Sequence, residues 1–315
     1  MSNAIIFPGQ GCQTVGMAKE FYDNFRVARE VFDEVDDVLG RGLSKIIFEG
    51  PLEELTSTDN AQPAIMAASL AILRTLESES GRKMENLCDF TAGHSLGEYT
   101  ALCASRSLTL GDTAKLLKVR GETFAEVGKR SQGSMAVLGA SVAVVEEILG
   151  ESTLAGEVLE ITNDNTDDQV VISGNEASLA WALEVAKARG ISKMKKLSVS
   201  GAFHSKLMEP AVGPMAIALG EVSPAEPVAR VMANYRAELE ARDEIKDNLL
   251  DQITSRVRWR ETMLNLSGLG VRRFLEIGPG RILTNMVRKT CPSAEASAIG
   301  SLEQLEEFLK TLEQK

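Results

Sequence analysis

The sequence predicts an α/β protein with a largely parallel sheet. Three observations predict it. Strand-like and helix-periodic segments alternate along the whole chain, a middle stretch changes character, and the composition (44% hydrophobic, 25% charged) is that of an ordinary soluble globular protein. The 315 residues allow a sizeable core and about two domains.

The elements follow in order. NAIIF, residues 3–7, reads as a short strand, closed by a Pro-Gly turn and followed by the amphipathic segment 17–39. Segment 61–79 has the composition of a buried helix, with its start expected near Pro63 because proline suits the first helical turn. LCDFTAG, residues 87–93, is strand-like and runs straight into the helical composition of 94–105. Residues 111–128 and 178–190 are further helical candidates. Between 129 and 198, strand-like and helical patterns alternate as a small inserted βα unit, with NDNTDD (163–168) as an acidic turn and 193–203 strand-like. Helix and strand patterns resume through 207–222, 230–236 and 248–270, then close on the strand-like RRFLEIGPG, 272–280. No internal repeat or low-complexity tract interrupts this order.

Composition excludes several functions. The start MSNAIIFPGQ lacks the basic region of a signal peptide, and AIMAASLAIL (64–73) is far shorter than the roughly 20 residues of a membrane span. A cytoplasmic protein is expected. Cysteines at 12, 88, 103 and 291 form no C-x-x-C, the chain has only two histidines, and no H-E-x-x-H occurs. That pattern argues against a disulfide framework, a zinc site and any metalloenzyme. The net charge of −11 disfavours nucleic acid and anionic membrane as partners. An acidic protein partner would need a local basic patch. KARGISKMKKL concentrates Lys187, Arg189, Lys193, Lys195 and Lys196, which form either such a patch or a solvated helix end and strand.

The chemistry starts at Gly93-His94-Ser95-Leu96-Gly97, a G-x-S-x-G between a strand and a helix. That context fits a nucleophile elbow, in which a sharp turn exposes the serine oxygen and the helix start offers N–H groups to an oxyanion. The alternative is a plain turn. Neighbouring residues at a tight turn point in different directions, so His94 is badly placed to deprotonate Ser95 and fits a packing or hydrogen-bonding support. His204 follows a strand-like segment and precedes a helix, which by elimination makes it the better base. No carboxylate stands out as a third member, which suggests a Ser–His dyad oriented by another group. The glycine spacing of FPGQGCQTVGM (Gly9, Gly11, Gly16) does not match a dinucleotide fingerprint. A loop offering backbone N–H groups beside Ser95 fits it, as does a structural turn.

FPGQGCQTVGM, QPAIMAASLAI, GHSLGEYTAL, KVRGETF, GSMAVLG, DQVVISG, GAFHSKLM and FLEIGPGRILT occur in that order over nearly the whole chain. This series resembles the malonyl-CoA:acyl carrier protein transacylases of fatty acid synthesis. The resemblance implies an α/β-hydrolase-like large subdomain, 1–128 and 199–315, carrying a ferredoxin-like insertion, 129–198. It implies Ser95 as nucleophile, His204 as base, and the backbone N–H groups of Gln10 and Leu96 as oxyanion hole. It implies that Arg120, otherwise a solvated helix charge, grips the malonyl carboxylate. Met135 and Phe203 match pocket positions, with Ala202-Phe203-His204 in the form found in malonyl-selective members. Asn163 and Asn165 match asparagines near the site, in a loop one residue longer than the commoner form. The base-orienting backbone carbonyl is implied at Arg258, in a segment where Arg256 replaces a proline common in relatives. No bound cofactor or metal is implied. The expected partners are a coenzyme A thioester and acyl carrier protein, acting on a monomer. A serine esterase or thioesterase, and a non-catalytic carrier-protein scaffold, are the alternatives.

Overall fold

A computed structural model describes residues 2–152, 156–199 and 201–313. Its strands are β1 (Ser2–Phe7), β2 (Phe90–Gly93), β3 (Gly133–Leu138), β4 (Leu159–Thr166), β5 (Gln169–Asn175), β6 (Met194–Lys196), β7 (Arg230–Met232), β8 (Val271–Ile277) and β9 (Glu295–Ile299). Five of them form a parallel sheet in the order β7-β2-β1-β8-β9. The central strand β1 buries Ala4, Ile5, Ile6 and Phe7, as a strand covered by helices on both faces must. Its register sets Phe7 beside Gly93 of β2, so the loops after both strands leave the sheet at its carboxyl end, where open α/β sheets build their sites.

The helix Thr58–Ser80 is buried almost all round and lies at the centre of the main core. It starts five residues before Pro63, not at it. An internal proline removes the N–H that Asp59 O would accept, and Arg41 Nη2 supplies the missing donor at 3.0 Å. The expected helix over 17–39 breaks at the extended Phe25 into Lys19–Asn24 and Arg26–Leu39.

The other four strands form an antiparallel sheet ordered β4-β5-β3-β6, in the βαββαβ arrangement of a ferredoxin-like unit. Strand alternation gives this sheet two apolar faces. Ala136, Leu138, Val170 and Ile172 pack with Val145, Ile148, Leu179 and Ala182 from its own helices, Val142–Gly150 and Glu176–Ala188. Met135 and Val171 turn the other way and join the main core with Phe124 and Phe203. The expected acidic turn over 163–168 is a strand over its first four residues. Asn163, Asp164, Asn165 and Thr166 are buried, and only Asp167 and Asp168 turn. Polar residues survive there because the larger part of the molecule satisfies them: Asp164 N donates to Val257 O, and its carboxylate pairs with Arg260 at 3.0 Å. The strand expected over 193–203 is confined to Met194–Lys196, and Ser200 lies outside the described residues.

Candidate active site

Ser95 stands between the end of β2 and the helix Leu96–Ala104, with φ 54° and ψ −110°. A non-glycine residue with positive φ is strained, and the surroundings must hold it there. The flanking glycines make the turn sterically possible. A Cβ on Gly93 would lie 1.8 Å from Gly97 O, and one on Gly97 would lie 2.4 Å from Phe7 O. Asn234 then clamps the turn, its Oδ1 accepting from Ser95 N at 2.7 Å and its Nδ2 donating to Gly93 O at 2.7 Å.

His204 Nε2 lies 2.7 Å from Ser95 Oγ, and Nδ1 lies 2.8 Å from the backbone oxygen of Gln252. A carbonyl can only accept, so Nδ1 carries the proton and Nε2 is left to receive the serine's. The orienting carbonyl is therefore that of Gln252 and not of Arg258, as the resemblance had implied. Gln252 sits in the last turn of the helix Ile245–Thr254, where carbonyls have no partner within the helix. Arg258 precedes the next helix, and its carbonyl accepts from Thr262 instead. Arg256 pairs with Glu146 at 3.3 Å, and Val257 bridges to Asn163, so this segment is tied to the small sheet.

Arg120 is no solvated helix charge. It is 1% exposed, on the helix Leu110–Ser131, with its guanidinium 4.3 Å from the Phe124 ring centroid. Nη2 donates to Ser95 Oγ at 3.1 Å and to Gln252 Oε1 at 2.8 Å, and Nη1 donates to Gln62 Oε1 at 2.7 Å. Its Nε is buried without a hydrogen-bond partner among the described residues. Burial, and then this cation, push His204 down to about 3, so the ring is neutral across the physiological range. His94, by contrast, donates from Nε2 to Asn165 Oδ1 at 2.9 Å and packs edge-on against Trp259. Its ring is also held below its ordinary value by burial, and it makes no contact with the serine oxygen.

These groups line a cavity of about 420 Å³ between the two sheets. Gln10, Ser95, Leu96, Arg120, Met135, Phe203 and His204 all border it, as do Asn163 and Asn165; Arg258 does not. Leu96 opens its helix, so its N–H has no intrahelical acceptor. A neutral imidazole on a serine oxygen, the N–H of Leu96 at a helix start and a buried cation together suit acyl transfer to serine. Among the described residues no cluster of three metal-ligating side chains occurs, and no helix is long and apolar enough to cross a membrane.

Residues 4–313 match the family described as acyl transferase domain. The chain belongs to this family. The acyltransferase is 38% identical over 314 residues to the malonyl CoA-acyl carrier protein transacylase of Bacillus subtilis (strain 168), covering 99% of this chain and 98% of that one. It is 33% identical to the enzyme of the same name from Escherichia coli (strain K12), covering 94% and 95%. Among solved structures it superposes on the acyl-carrier-protein-S-malonyltransferase of Bartonella henselae with a TM-score of 0.94, 43% identity and coverage of 99% and 100%. A malonyl-transacylase solved in complex with its type II PKS acyl-carrier protein gives 0.93, at 33% identity and coverage of 99% and 100%.

Sequence reasoning missed Gln62, Asn234 and Gln252, each of which holds a group of the acyltransferase's site. One signal existed. On the helix Ile245–Thr254, Asn248 and Gln252 fall on the same face as the apolar Ile245, Leu249 and Ile253, and a polar pair on a buried stripe has to be bonded to something.

Proposed function

We propose that this acyltransferase moves a malonyl group from malonyl-CoA to the phosphopantetheine thiol of acyl carrier protein, through a malonyl ester on Ser95. Ser95 Oγ passes its proton to His204 Nε2 and attacks the thioester carbon. The carbonyl oxygen becomes an oxyanion held by the N–H groups of Gln10 and Leu96. On collapse the C–S bond breaks, and His204 returns the proton to the departing coenzyme A thiolate. The carrier's thiol then repeats the sequence in reverse, losing its proton to His204 as it attacks the ester. Met135 and Phe203 shape the acyl pocket.

The observation that carries the malonyl reading is the buried guanidinium of Arg120, 3.1 Å from Ser95 Oγ. A neutral acyl group has no use for a cation there, whereas a malonyl carboxylate must shed its water and find a planar, bidentate partner. In this reading 1–128 and 199–315 form the catalytic subdomain and 129–198 the insertion that walls the pocket. In this reading the protein acts as a monomer, and its steps use protein groups alone. Mass spectrometry after mixing with malonyl-CoA tests the reading: a malonyl adduct on Ser95, discharged by holo carrier protein, is expected. An adduct that water discharges as fast as the carrier makes the protein a thioesterase instead.

A further inference from the structure

Directly beneath the elbow lies a charge arrangement the reaction above does not use. Glu98, on the first turn of the elbow helix, is fully buried, and Glu240 is 8% exposed. Glu98 Oε2 accepts from Gln252 Nε2 at 2.5 Å and from Asn234 N at 3.2 Å. Glu240 Oε1 accepts from Asn248 Nδ2 at 3.3 Å. The remaining oxygens, Glu98 Oε1 and Glu240 Oε2, are buried without a hydrogen-bond partner among the described residues, and the two carboxyls are near enough to act on each other electrostatically. Two carboxylates buried side by side resist being charged together, and one proton between them would give both orphaned oxygens a partner.

The cluster reaches the nucleophile by two arms. Gln252 Nε2 donates to Glu98 and to Ser95 O at 3.1 Å, while its Oε1 faces Arg120. Asn234 is held by Glu98 through its N–H and grips Ser95 N with its Oδ1. A reversed Gln252 amide would set an NH₂ against the donor-only guanidinium and an oxygen against Glu98, so an acceptor at Glu98 fixes its orientation.

We propose that Glu98 and Glu240 share a single proton and act as a positioning pair, whose one negative charge holds Gln252 and Asn234 on the strained backbone of Ser95 and holds Arg120 toward the acyl pocket. Neither glutamate touches substrate. Burial raises both carboxyls above the usual range, with the charge of Glu98 as the second cause at Glu240. The groups facing the pair are Arg120 across the site, Tyr99 beside Glu98 and Glu244 beside Glu240. Of these Arg120 alone is a cation, and it favours the singly charged state over the neutral one. Loss of the shared proton at high pH sets two charges face to face, drives Gln252 from its place and slows acylation.

The test compares wild type with Glu240→Gln and Glu240→Met. Glutamine mimics a protonated glutamate, donating to Glu98 Oε1 and accepting from Asn248, but cannot ionise. Difference infrared spectra at about pH 8, where an ordinary glutamate is fully charged, should show a carboxylic-acid C=O band in wild type that Glu240→Gln lacks. Acylation of Ser95 should fall at alkaline pH in wild type and stay level in Glu240→Gln. Glu240→Met, which offers no proton, should acylate roughly 10- to 100-fold more slowly. A difference spectrum without the band, or superimposable pH profiles, overturns the shared proton. A Glu240→Met enzyme acylating at the wild-type rate overturns the positioning role; if that variant does not fold, the first two measurements decide. The kinetic arms rest on the proposed acylation of Ser95, whereas the infrared arm needs no substrate. A wild type that never forms the adduct therefore sinks the function and leaves the band to judge the pair.

Discussion

Replacing Arg120 by alanine should erase the preference for malonyl over acetyl donors. The magnitude follows from the burial of the guanidinium, 1% exposed among Tyr99, Phe124, Gln62 and Gln252. A carboxylate entering that pocket exchanges water for charge-assisted hydrogen bonds, each contributing about 1.5–3 kcal/mol. Without the partner it stays desolvated and unpaired, so the malonyl reaction should lose about 2–4 kcal/mol, or roughly 30- to 1,000-fold. The substitution also frees Gln62 Oε1 and Gln252 Oε1 and removes the contact to Ser95 Oγ. Those losses disturb any acyl donor, so the ratio of donors, not the rate with either, isolates the carboxylate. The assay is single-turnover adduct formation on Ser95 from malonyl-CoA and acetyl-CoA in each variant. Arg120→Lys, a point charge in place of a fork, should recover part of the ratio. An unchanged ratio in a folded Arg120→Ala would refute the reasoning and remove the main structural ground for malonyl.

Ser95→Ala should abolish the adduct and His204→Ala slow its formation by about 10²- to 10⁴-fold, while His94→Ala, which removes only the bond to Asn165 and the contact with Trp259, should act mainly on stability. A folded His94→Ala as slow as His204→Ala would reverse the base assignment. With His204 held down to about 3, kcat/KM for malonyl-CoA should show no inflection near about 6.5, because the neutral base is lost only as pH falls through its folded value. The unfolded chain binds protons at that histidine from about 6.5 downward and the folded one does not, so stability to urea should decline below that pH; an inflection in rate near 6.5 would mean a solvated ring. In the basic patch, Lys196 is already paired with Glu176, and Arg189 with Glu147 and Glu151, whereas Lys195 borders the pocket mouth without an ion pair among the described residues. Lys195→Glu should raise KM for carrier protein and not for malonyl-CoA, less so at high salt, and equal effects on both would move docking elsewhere.

What the sequence made legible was what local patterning controls. The strand-turn-helix around Ser95 follows from continuous apolar residues, two glycines and a helix start, and alternation in GSMAV and VVISG orients a sheet with two apolar faces. The misreadings came where tertiary partners override local preference. Pro63 sits inside a helix because Arg41, distant in sequence, supplies the absent donor, and NDNT is strand because Val257 and Arg260 satisfy it. The carbonyl facing His204 depends on where one helix ends, and a shift of six residues, from Arg258 to Gln252, is beyond what a motif's spacing conveys. Glu98 lies in the elbow motif itself. Its partner Glu240 sits in an exposed-looking run, ELEARD, and only the fold brings the two together.

The electrostatics of the pocket bear on where discrimination arises. In the proposed reaction, proton transfer from Ser95 creates an imidazolium on His204, and the charge of Arg120 opposes it; in the free protein that cation is the second cause of the depressed histidine, after burial. On the proposed role of Arg120, a malonyl carboxylate bound to the guanidinium would neutralise that charge, so the ring would become a stronger base once the right donor has arrived. Acetyl-CoA leaves the cation bare and meets a weaker base. On that reading the same carboxylate serves binding and the chemical step, and the acetyl deficit should fall on kcat as well as on KM. Arg120→Ala separates the two contributions, because it removes the obstacle to the imidazolium for both donors while removing the carboxylate's partner for one. Acetyl acylation should then fall much less than malonyl acylation. A fall of both by the same factor would assign Arg120 to holding Ser95 and Gln252 in place, with no part in choosing the acyl group.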